Sequence, residues 1–146
     1  MNNTSAAEAQ RAETAGERTG GCPCGRIRFI TRPPAVFRHT CACCHCQKPG
    51  GTPVMWWVGF EKATRTGEGG GPAWYETFEG QAKRGFCPTC GCRLAAIDSD
   101  VTEIGINATA LDDTSAPDLV PIHMSFRHNA GHWLPPVPGT EHSTAG

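Results

Sequence analysis

Short runs of alternating or continuous apolar residues, separated by turn-forming residues, make up most of this chain. Residues 26–30 alternate polar and apolar positions, which predicts a strand with Ile27 and Phe29 pointing inward. Residues 54–60 form a continuous apolar run that is suited to a buried strand. The 18 glycines and 12 prolines favour turns and short strands over long helices. The pattern therefore predicts a mainly β fold.

Further short runs complete the predicted set of strands. They cover residues 36–41, 74–78, 83–86, 94–97, 103–108 and 121–126. The first 20 residues carry no sustained apolar stripe. We predict a disordered N-terminal tail over residues 1–20, one domain over residues 21–134 and a C-terminal tail over residues 135–146.

Net charge and composition exclude several classes of partner. The formal net charge is −1, from 13 Lys and Arg residues against 14 Asp and Glu residues. A nearly neutral domain is a poor fit to nucleic acid, whose binding requires clustered cations. No segment is long and apolar enough to span a membrane, and the first 20 residues lack the apolar region of a secretory signal. We therefore expect a cytoplasmic protein with no nucleic-acid or membrane partner.

Seven of the nine cysteines form three tight clusters with the spacing of metal ligands. A reducing cytoplasm favours bonds between thiolates and metal over disulfides, and the odd number of cysteines agrees with this interpretation. The clusters are Cys22-x-Cys24, Cys41-x-Cys43-x2-Cys46 and Cys87-x2-Cys90.

The number of sulfurs predicts two zinc ions of different kinds. Structural zinc binds four protein ligands, whereas reactive zinc keeps three and leaves one position open. The two pairs of cysteines together supply the closed set, and the triplet supplies the open one. We therefore predict two Zn²⁺ per chain: a structural ion on Cys22, Cys24, Cys87 and Cys90, and a catalytic ion on Cys41, Cys43 and Cys46.

Turn-forming residues accompany both cysteine pairs. Pro23 lies within the first pair and Gly25 directly follows it, and Pro88 lies within the last pair and Gly91 directly follows it. Glycine permits a positive φ just after the second ligand, which lets backbone N–H groups point at sulfur. Both pairs are therefore expected to lie in tight turns.

Three side chains near the clusters leave alternatives open. Cys44 or His45 could close the three-thiol site and make it structural. Cys92 could serve as an alternative ligand of the four-thiol site, or remain a spare thiol beside it. Among the other histidines, His123 lies on a predicted strand and is a candidate polar group near the site.

Several segments, taken in order, resemble the glutathione-dependent formaldehyde-activating enzyme family, which also includes centromere protein V. The similarity extends from residue 21 to about residue 134 and is specific in its combined spacing. Its segments are Gly-Gly-Cys-Pro-Cys-Gly at 20–25, Cys-Ala-Cys-Cys-His-Cys-Gln-Lys at 41–48 with Gly51, Gly-Phe-Cys-Pro-Thr-Cys-Gly at 85–91, Leu-Asp-Asp at 111–113, His123 and Trp133.

The resemblance implies two packed antiparallel sheets of short strands stapled by zinc, with the same division of ligands. It also implies the condensation of formaldehyde with glutathione to S-hydroxymethylglutathione, or the reverse carbon–sulfur lyase reaction. The expected partners are then a small-molecule thiol and an aldehyde. Lys48, Lys83 and Arg84 are candidate partners for the carboxylates of glutathione. Of Trp56 and Trp57, at least one is expected in the core, and the other could wall the pocket.

Three classes of function fit these features. The first is a zinc enzyme that adds a thiol to a small aldehyde. The second is a zinc-stabilised binding module without chemistry. The third is a thiol redox or metal-buffering protein that uses Cys44 and Cys92.

Overall fold

The computed structural model describes residues 16–144, which form a mainly β fold with two sheets and one short α-helix, α1 (Cys44–Gly50). Short 3₁₀ helices lie at Ala108–Ala110, Pro117–Leu119 and Arg127–Asn129. The strands are β1 (Arg18–Gly21), β2 (Arg28–Arg32), β3 (Val36–Cys41), β4 (Met55–Phe60), β5 (Lys62–Thr66), β6 (Ala73–Phe78), β7 (Ala82–Phe86), β8 (Arg93–Asp98), β9 (Ile104–Asn107), β10 (His123–Ser125) and β11 (Glu141–Ser143).

The two sheets differ in size. The small sheet has the order β1-β2-β5 and is antiparallel throughout. The large sheet has the order β11-β10-β3-β4-β9-β8-β7-β6. The chain passes from the large sheet to the small one between β4 and β5, where Glu61 alone separates the two strands. The sheets are therefore joined directly as well as packed.

The main hydrophobic core includes residues from both sheets. Phe29 of the small sheet packs in one cluster with Val58, Phe60 and Ile106 of the large sheet, and each is at least 94% buried. Side chains alternate between the two faces of a strand. We call the side of the large sheet that carries Val58 and Phe60 the core face.

The opposite side of the large sheet carries a second cluster. Cys41, Met55, Trp57 and Ala96 pack there with Cys46 of α1. We call this side the site face, defined by Cys41, Met55, Trp57 and Ala96. Because Cys46 is buried in the cluster, α1 lies against the site face.

The predicted fold class, mainly β with two sheets, is confirmed. Each predicted strand overlaps an observed one, with ends that differ by about one or two residues. The expectation of purely antiparallel sheets is wrong, because β10 pairs in parallel with both β3 and β11. Parallel pairing needs a long connection, and the chain between β3 and β10 supplies one. The sequence pattern did not predict β1, β5, β11 or α1.

Strand β1 lies within the segment that was expected to be a tail. It has the sequence Arg-Thr-Gly-Gly and offers no apolar signal, and its backbone is held by β2 and by a bridge from Gly20 to Leu111. Residues 1–15 lie outside the described part of the chain. Strand β11 likewise falls inside residues 135–146. The domain limits 21–134 stay a prediction, with these two strands just beyond them.

Asp112 connects the small sheet to the segment after β9. Its backbone N–H donates to the Thr19 carbonyl at 3.0 Å, and its carboxylate accepts hydrogen bonds from Arg28 and from the Thr19 hydroxyl. The Arg28 guanidinium, with the Thr19 hydroxyl, holds the pKa of Asp112 below its usual value. These bonds hold β1 and β2 to the segment that follows β9.

In the described residues 16–144, no helix is long and apolar enough to cross a membrane.

Gly20 offers a test of where β1 lies. A Cβ at this position would come within 2.6 Å of both the Ala110 carbonyl oxygen and the Phe29 ring. We expect Gly20→Ala to lower the free energy of unfolding by about 1–3 kcal/mol, because the added methyl group overpacks this contact. Denaturant titration of the metal-loaded protein measures the change.

Gly71→Ala is the matched control, since its Cβ would meet only Arg65 Nη1 at 3.5 Å. Its stability should remain within about 0.5 kcal/mol of the wild type. Equal stabilities for the two variants would contradict the placement of β1.

Candidate metal centres

Four cysteine sulfurs converge where the two sheets meet. The Sγ atoms of Cys22, Cys24, Cys87 and Cys90 all lie within 4.8 Å of one another. The Cys22–Cys24 separation is 3.4 Å, and the Cys24–Cys87 separation is 3.7 Å. A Zn–S bond of ~2.3 Å in a tetrahedron places sulfurs roughly 3.8 Å apart. The donor set and its spacing therefore fit a closed zinc site.

Each pair of cysteines lies in a tight turn that follows a strand. Cys22 directly follows β1, and Cys87 directly follows β7. The Gly25 N–H donates to the Cys22 carbonyl at 3.0 Å, and the Gly91 N–H donates to the Cys87 carbonyl at 2.8 Å. Both glycines have positive φ, +79° and +78°. Glycine adopts this conformation without steric cost, as the sequence led us to expect.

Backbone N–H groups point at the buried sulfurs of this cluster. The Ile27 N–H donates to Cys22 Sγ at 3.3 Å, and the Cys90 N–H donates to Cys87 Sγ at 3.5 Å. Burial raises the pKa of the Cys87 thiol, but the N–H groups of Cys90 and Thr89 outweigh it and lower the pKa to about 6. At the two buried sulfurs, Cys22 and Cys87, these N–H groups therefore favour thiolate, the form that binds metal.

Three further sulfurs converge on the site face. Cys41 ends β3, Cys43 directly precedes α1, and Cys46 lies in the first turn of that helix. Their Sγ atoms all lie within 4.8 Å of one another. The N–H groups of Cys46 and Gln47 both donate to the Cys43 carbonyl, at 3.0 and 2.9 Å. The start of the helix thus brings Cys43 and Cys46 onto one side of a turn, beside Cys41.

Charge is shared unequally within this triplet. Hydrogen bonds from the thiols of Cys41 and Cys46 lower the pKa of Cys43 to about 2. The hydrogen bonds of the Cys41 thiol with Cys43 and Cys46 raise the pKa of Cys41 above its usual value. A buried cluster that concentrates negative charge on sulfur is suited to a thiophilic cation such as Zn²⁺.

The Trp57 side chain packs against the three-sulfur cluster. Its indole Nε1–H donates to Cys46 Sγ at 3.5 Å, and the side chain is buried with Met55. Trp56 instead packs against the main core, and its Nε1–H donates to the Leu119 carbonyl at 2.9 Å. The sequence left the assignment of the two tryptophans open. In the structure Trp57 lies on the same face as Met55, and Trp56 lies on the face of Val58 and Phe60.

Cys44 and His45 lie at the triplet but do not join it. Among residues 16–144, neither belongs to a group of three or more possible metal-ligand atoms that lie within 4.8 Å of one another. Cys44 is exposed, and the His45 ring packs edge-on against Phe78 at 4.9 Å. Cys92 lies outside the four-sulfur cluster and donates to the Arg93 carbonyl at 3.6 Å. Burial raises the pKa of Cys92 to about 11, so its thiol keeps its proton at neutral pH.

A pair of histidines occupies the site face near the triplet. His123 lies opposite His39, which itself lies opposite Trp57. His123 Nε2 shares a hydrogen bond with Ser143 Oγ at 2.8 Å. Burial lowers the pKa of His39, although the hydrogen bond of its Nδ1 to the Phe37 carbonyl opposes the shift. His123 is thus on the same side of the sheet as the triplet, as part of a pair that the sequence did not reveal.

An open cleft of about 400 Å³ lies beside α1. Lys48 lines it, while the other two predicted cations are engaged elsewhere. Lys83 Nζ lies 4.9 Å from the centre of the Trp74 ring, and Arg84 forms an ion pair with Asp98 at 2.8 Å. The remaining lining residues are Gln47, Gly51, Thr52, Pro53, Gly131 and the 74% exposed Trp133.

Comparison with known proteins identifies a family and a solved structure with a similar fold. The family model described as glutathione-dependent formaldehyde-activating enzyme matches residues 17–128. A crystal structure of a Rhodobacter sphaeroides protein superposes with a TM-score of 0.55 at 21% identity, covering 73% of this chain and 98% of that chain. That likeness concerns the fold. No match was found among curated proteins.

The hydrogen bond from Trp57 to Cys46 generates a prediction about metal affinity. We expect Trp57→Phe to weaken metal binding at the three-sulfur cluster by roughly 10- to 100-fold, because groups that orient a ligand contribute on that scale. Competition against a chromophoric chelator measures the affinity.

Trp56→Phe serves as the control, because the Trp56 indole donates to the Leu119 carbonyl instead of to sulfur. Its metal affinity should equal that of the wild type. A Trp57→Phe protein that binds metal as tightly as the Trp56→Phe protein would show that the indole does not support Cys46.

Proposed function

The chain belongs to the glutathione-dependent formaldehyde-activating enzyme family, and from that premise we propose that it is a zinc-dependent enzyme acting on a small thiol and a small aldehyde. It adds the thiol, such as glutathione, to an aldehyde such as formaldehyde. In reverse, it acts as a carbon–sulfur lyase. We propose two Zn²⁺ per chain, one structural and one catalytic.

The observation that carries this proposal is the unequal size of the two sulfur clusters. Cys22, Cys24, Cys87 and Cys90 form a set of four, which suits a closed and purely structural ion. Cys41, Cys43 and Cys46 form a set of three that gains no fourth Cys, His, Asp or Glu ligand from the described residues. A three-ligand set leaves one position for a substrate atom, as in catalytic zinc sites.

The ligand set favours activation of sulfur over activation of water. Bound zinc would lower the pKa of a substrate thiol, so that the sulfur is a thiolate at neutral pH. Three thiolate ligands already donate strongly, which weakens the Lewis acidity needed to ionise water. The family description names glutathione, which is a thiol, and formaldehyde, which is an aldehyde, and both suit this chemistry.

Side chains near the triplet bind the substrate and exclude water from it. Trp57 and Met55 are about 94–95% buried against the triplet and shield one side of it. Lys48, on the cleft beside α1, supplies a positive charge for a substrate carboxylate. In the addition, the thiolate sulfur forms a bond to the carbonyl carbon as the carbon–oxygen π bond breaks. The proton lost by the thiol ends on that oxygen, which gives the hydroxymethyl thioether.

Substitution of single cysteines tests the division between the two clusters. Metal analysis should give about two zinc ions per wild-type chain. Cys43→Ser should lose one ion and keep its near-ultraviolet circular dichroism. Cys87→Ser should unfold or aggregate, because the four-sulfur ion contributes folding free energy across both sheets.

Cys92→Ser is the control for loss of a nearby thiol, and it should keep both ions and the fold. If Cys43→Ser and Cys87→Ser have the same effect, the two clusters do not divide structural and catalytic roles.

Binding of glutathione distinguishes the proposed enzyme from the alternative function, a zinc-stabilised binding module without chemistry. We expect calorimetry to detect glutathione binding to the zinc-loaded protein and to lose it when Cys43 is replaced by Ser. Lys48→Ala should weaken binding by roughly fivefold at low salt, as expected for loss of about 1 kcal/mol from an exposed ion pair.

Lys62→Ala, at an exposed position on β5, is the control and should bind glutathione like the wild type. A zinc-loaded wild-type protein without measurable affinity for glutathione or another small thiol would favour the binding module.

A further inference from the structure

Ser125 carries a buried hydroxyl group that nothing in the fold uses. The residue is 1% exposed, and its Oγ has no hydrogen-bond partner among residues 16–144. Burying a hydroxyl without a partner costs folding stability. Such a group calls for an explanation in a native protein, and contact with a bound ligand is one such explanation.

Strand pairing places this hydroxyl on the site face. Ser125 of β10 lies directly opposite Cys41 of β3, in the same parallel ladder as His123 and His39. Residues paired across neighbouring strands point to the same side of a sheet. The Ala42 N–H donates to the Ser125 carbonyl at 3.0 Å, which fixes the two strand ends together. The side chain of Ser125 therefore lies on the same side as the Cys41 sulfur.

Phe126, the residue after Ser125, has a strained backbone and packs against the three-sulfur cluster. Phe126 has φ +54°, in the left-handed region that side chains other than glycine rarely adopt. Phe126 packs against the cluster of Cys41, Cys46 and Trp57. Backbone strain of this kind persists where the surrounding structure imposes it, commonly at functional sites. The turn after Ser125 thus brings two successive residues to the three-sulfur cluster.

A second buried hydroxyl gives an internal comparison. Thr40 is 5% exposed, and its Oγ1 also has no partner among the described residues. Thr40 lies opposite Trp56 and Met124, however, and so points to the core face. The Ser125 and Thr40 hydroxyls are both buried and both belong to residues next to Cys41, one across the sheet and one along the chain. They differ in the face of the sheet that they occupy.

We propose that the Ser125 hydroxyl is a catalytic hydrogen-bond donor to the carbonyl oxygen of the aldehyde. The inference rests on the proposed function and assigns a residue to its bond-forming step. As the thiolate sulfur bonds to the carbonyl carbon, the π electron pair moves onto oxygen. Ser125 Oγ–H donates to that oxygen as its negative charge grows. Ser125 keeps its own proton, and the proton released by the thiol completes the product hydroxyl group.

Ser125→Ala and Thr40→Val in the zinc-loaded full chain test the proposal. The rate of exchange between formaldehyde, glutathione and their adduct is measured by proton magnetic resonance. Loss of one donor to a developing oxyanion lowers a rate by about 100-fold or more, and we expect Ser125→Ala to lose at least about tenfold. Thr40→Val should keep the wild-type rate, because its hydroxyl occupies the other face.

Three readouts besides activity distinguish a catalytic hydroxyl from a structural one. The thermal midpoint of Ser125→Ala should equal or exceed that of the wild type, because an unpartnered buried hydroxyl is removed. Its dissociation constant for glutathione should stay within about twofold, since the donor contacts the aldehyde oxygen and not the thiol. The absorption spectrum of the cobalt-substituted protein should not change, since the donor does not contact a ligand sulfur.

Several outcomes overturn the proposal. A Ser125→Ala protein that matches the wild-type rate shows that the hydroxyl is not used. A shifted cobalt spectrum or a lowered thermal midpoint shows that it supports the metal ligands or the fold. A wild-type protein that does not accelerate the exchange instead refutes the proposed function, and the role of Ser125 is refuted with it.

Discussion

Convergence of four sulfurs between the two sheets is the constraint on which the rest of the structure depends. Cys22 and Cys87 each follow the last residue of a strand, one in the small sheet and one in the large sheet. The two tight turns contribute donors to one cluster, and Arg26 Nη1 bridges them by donating to Thr89 Oγ1 at 3.0 Å. A metal ion bound there would join the small sheet to the large sheet at the edge of the hydrophobic core.

This arrangement leaves the other side of the large sheet available for chemistry. The core face is buried against the small sheet, whereas the site face is covered in part by the short helix α1. The triplet of sulfurs forms where β3 ends and α1 begins, so the ligands rest on two elements that pack together. Trp57 on β4, Ser125 on β10 and Phe126 just after β10 lie on the same side of the sheet as that triplet. In the proposed function, the site face thus carries the chemistry, while an ion in the four-sulfur cluster would stabilise the opposite side.

Much of this organisation could be predicted from local sequence patterns. Cysteine spacing gave the division into four and three sulfurs, because ligands of one tetrahedral ion must lie close together in tight turns. The run that contains Val58 and Phe60 revealed a buried strand. Strand β1 could not be predicted, since Thr19 and Gly20 carry no apolar signal and are held by backbone pairing. Nor could the parallel pairing of β10, which places Ser125 opposite Cys41, because register between distant segments depends on the whole fold.

We propose that one zinc ion is saturated by protein sulfur, whereas the other leaves a position for substrate. A crystal structure of the zinc-loaded protein soaked with glutathione distinguishes the two ions. We expect one zinc bound by the four sulfurs of Cys22, Cys24, Cys87 and Cys90. We expect the second zinc at Cys41, Cys43 and Cys46, with the glutathione sulfur as its fourth ligand. A single ion per chain, or two ions each enclosed by four protein ligands, would refute this division of the ligands.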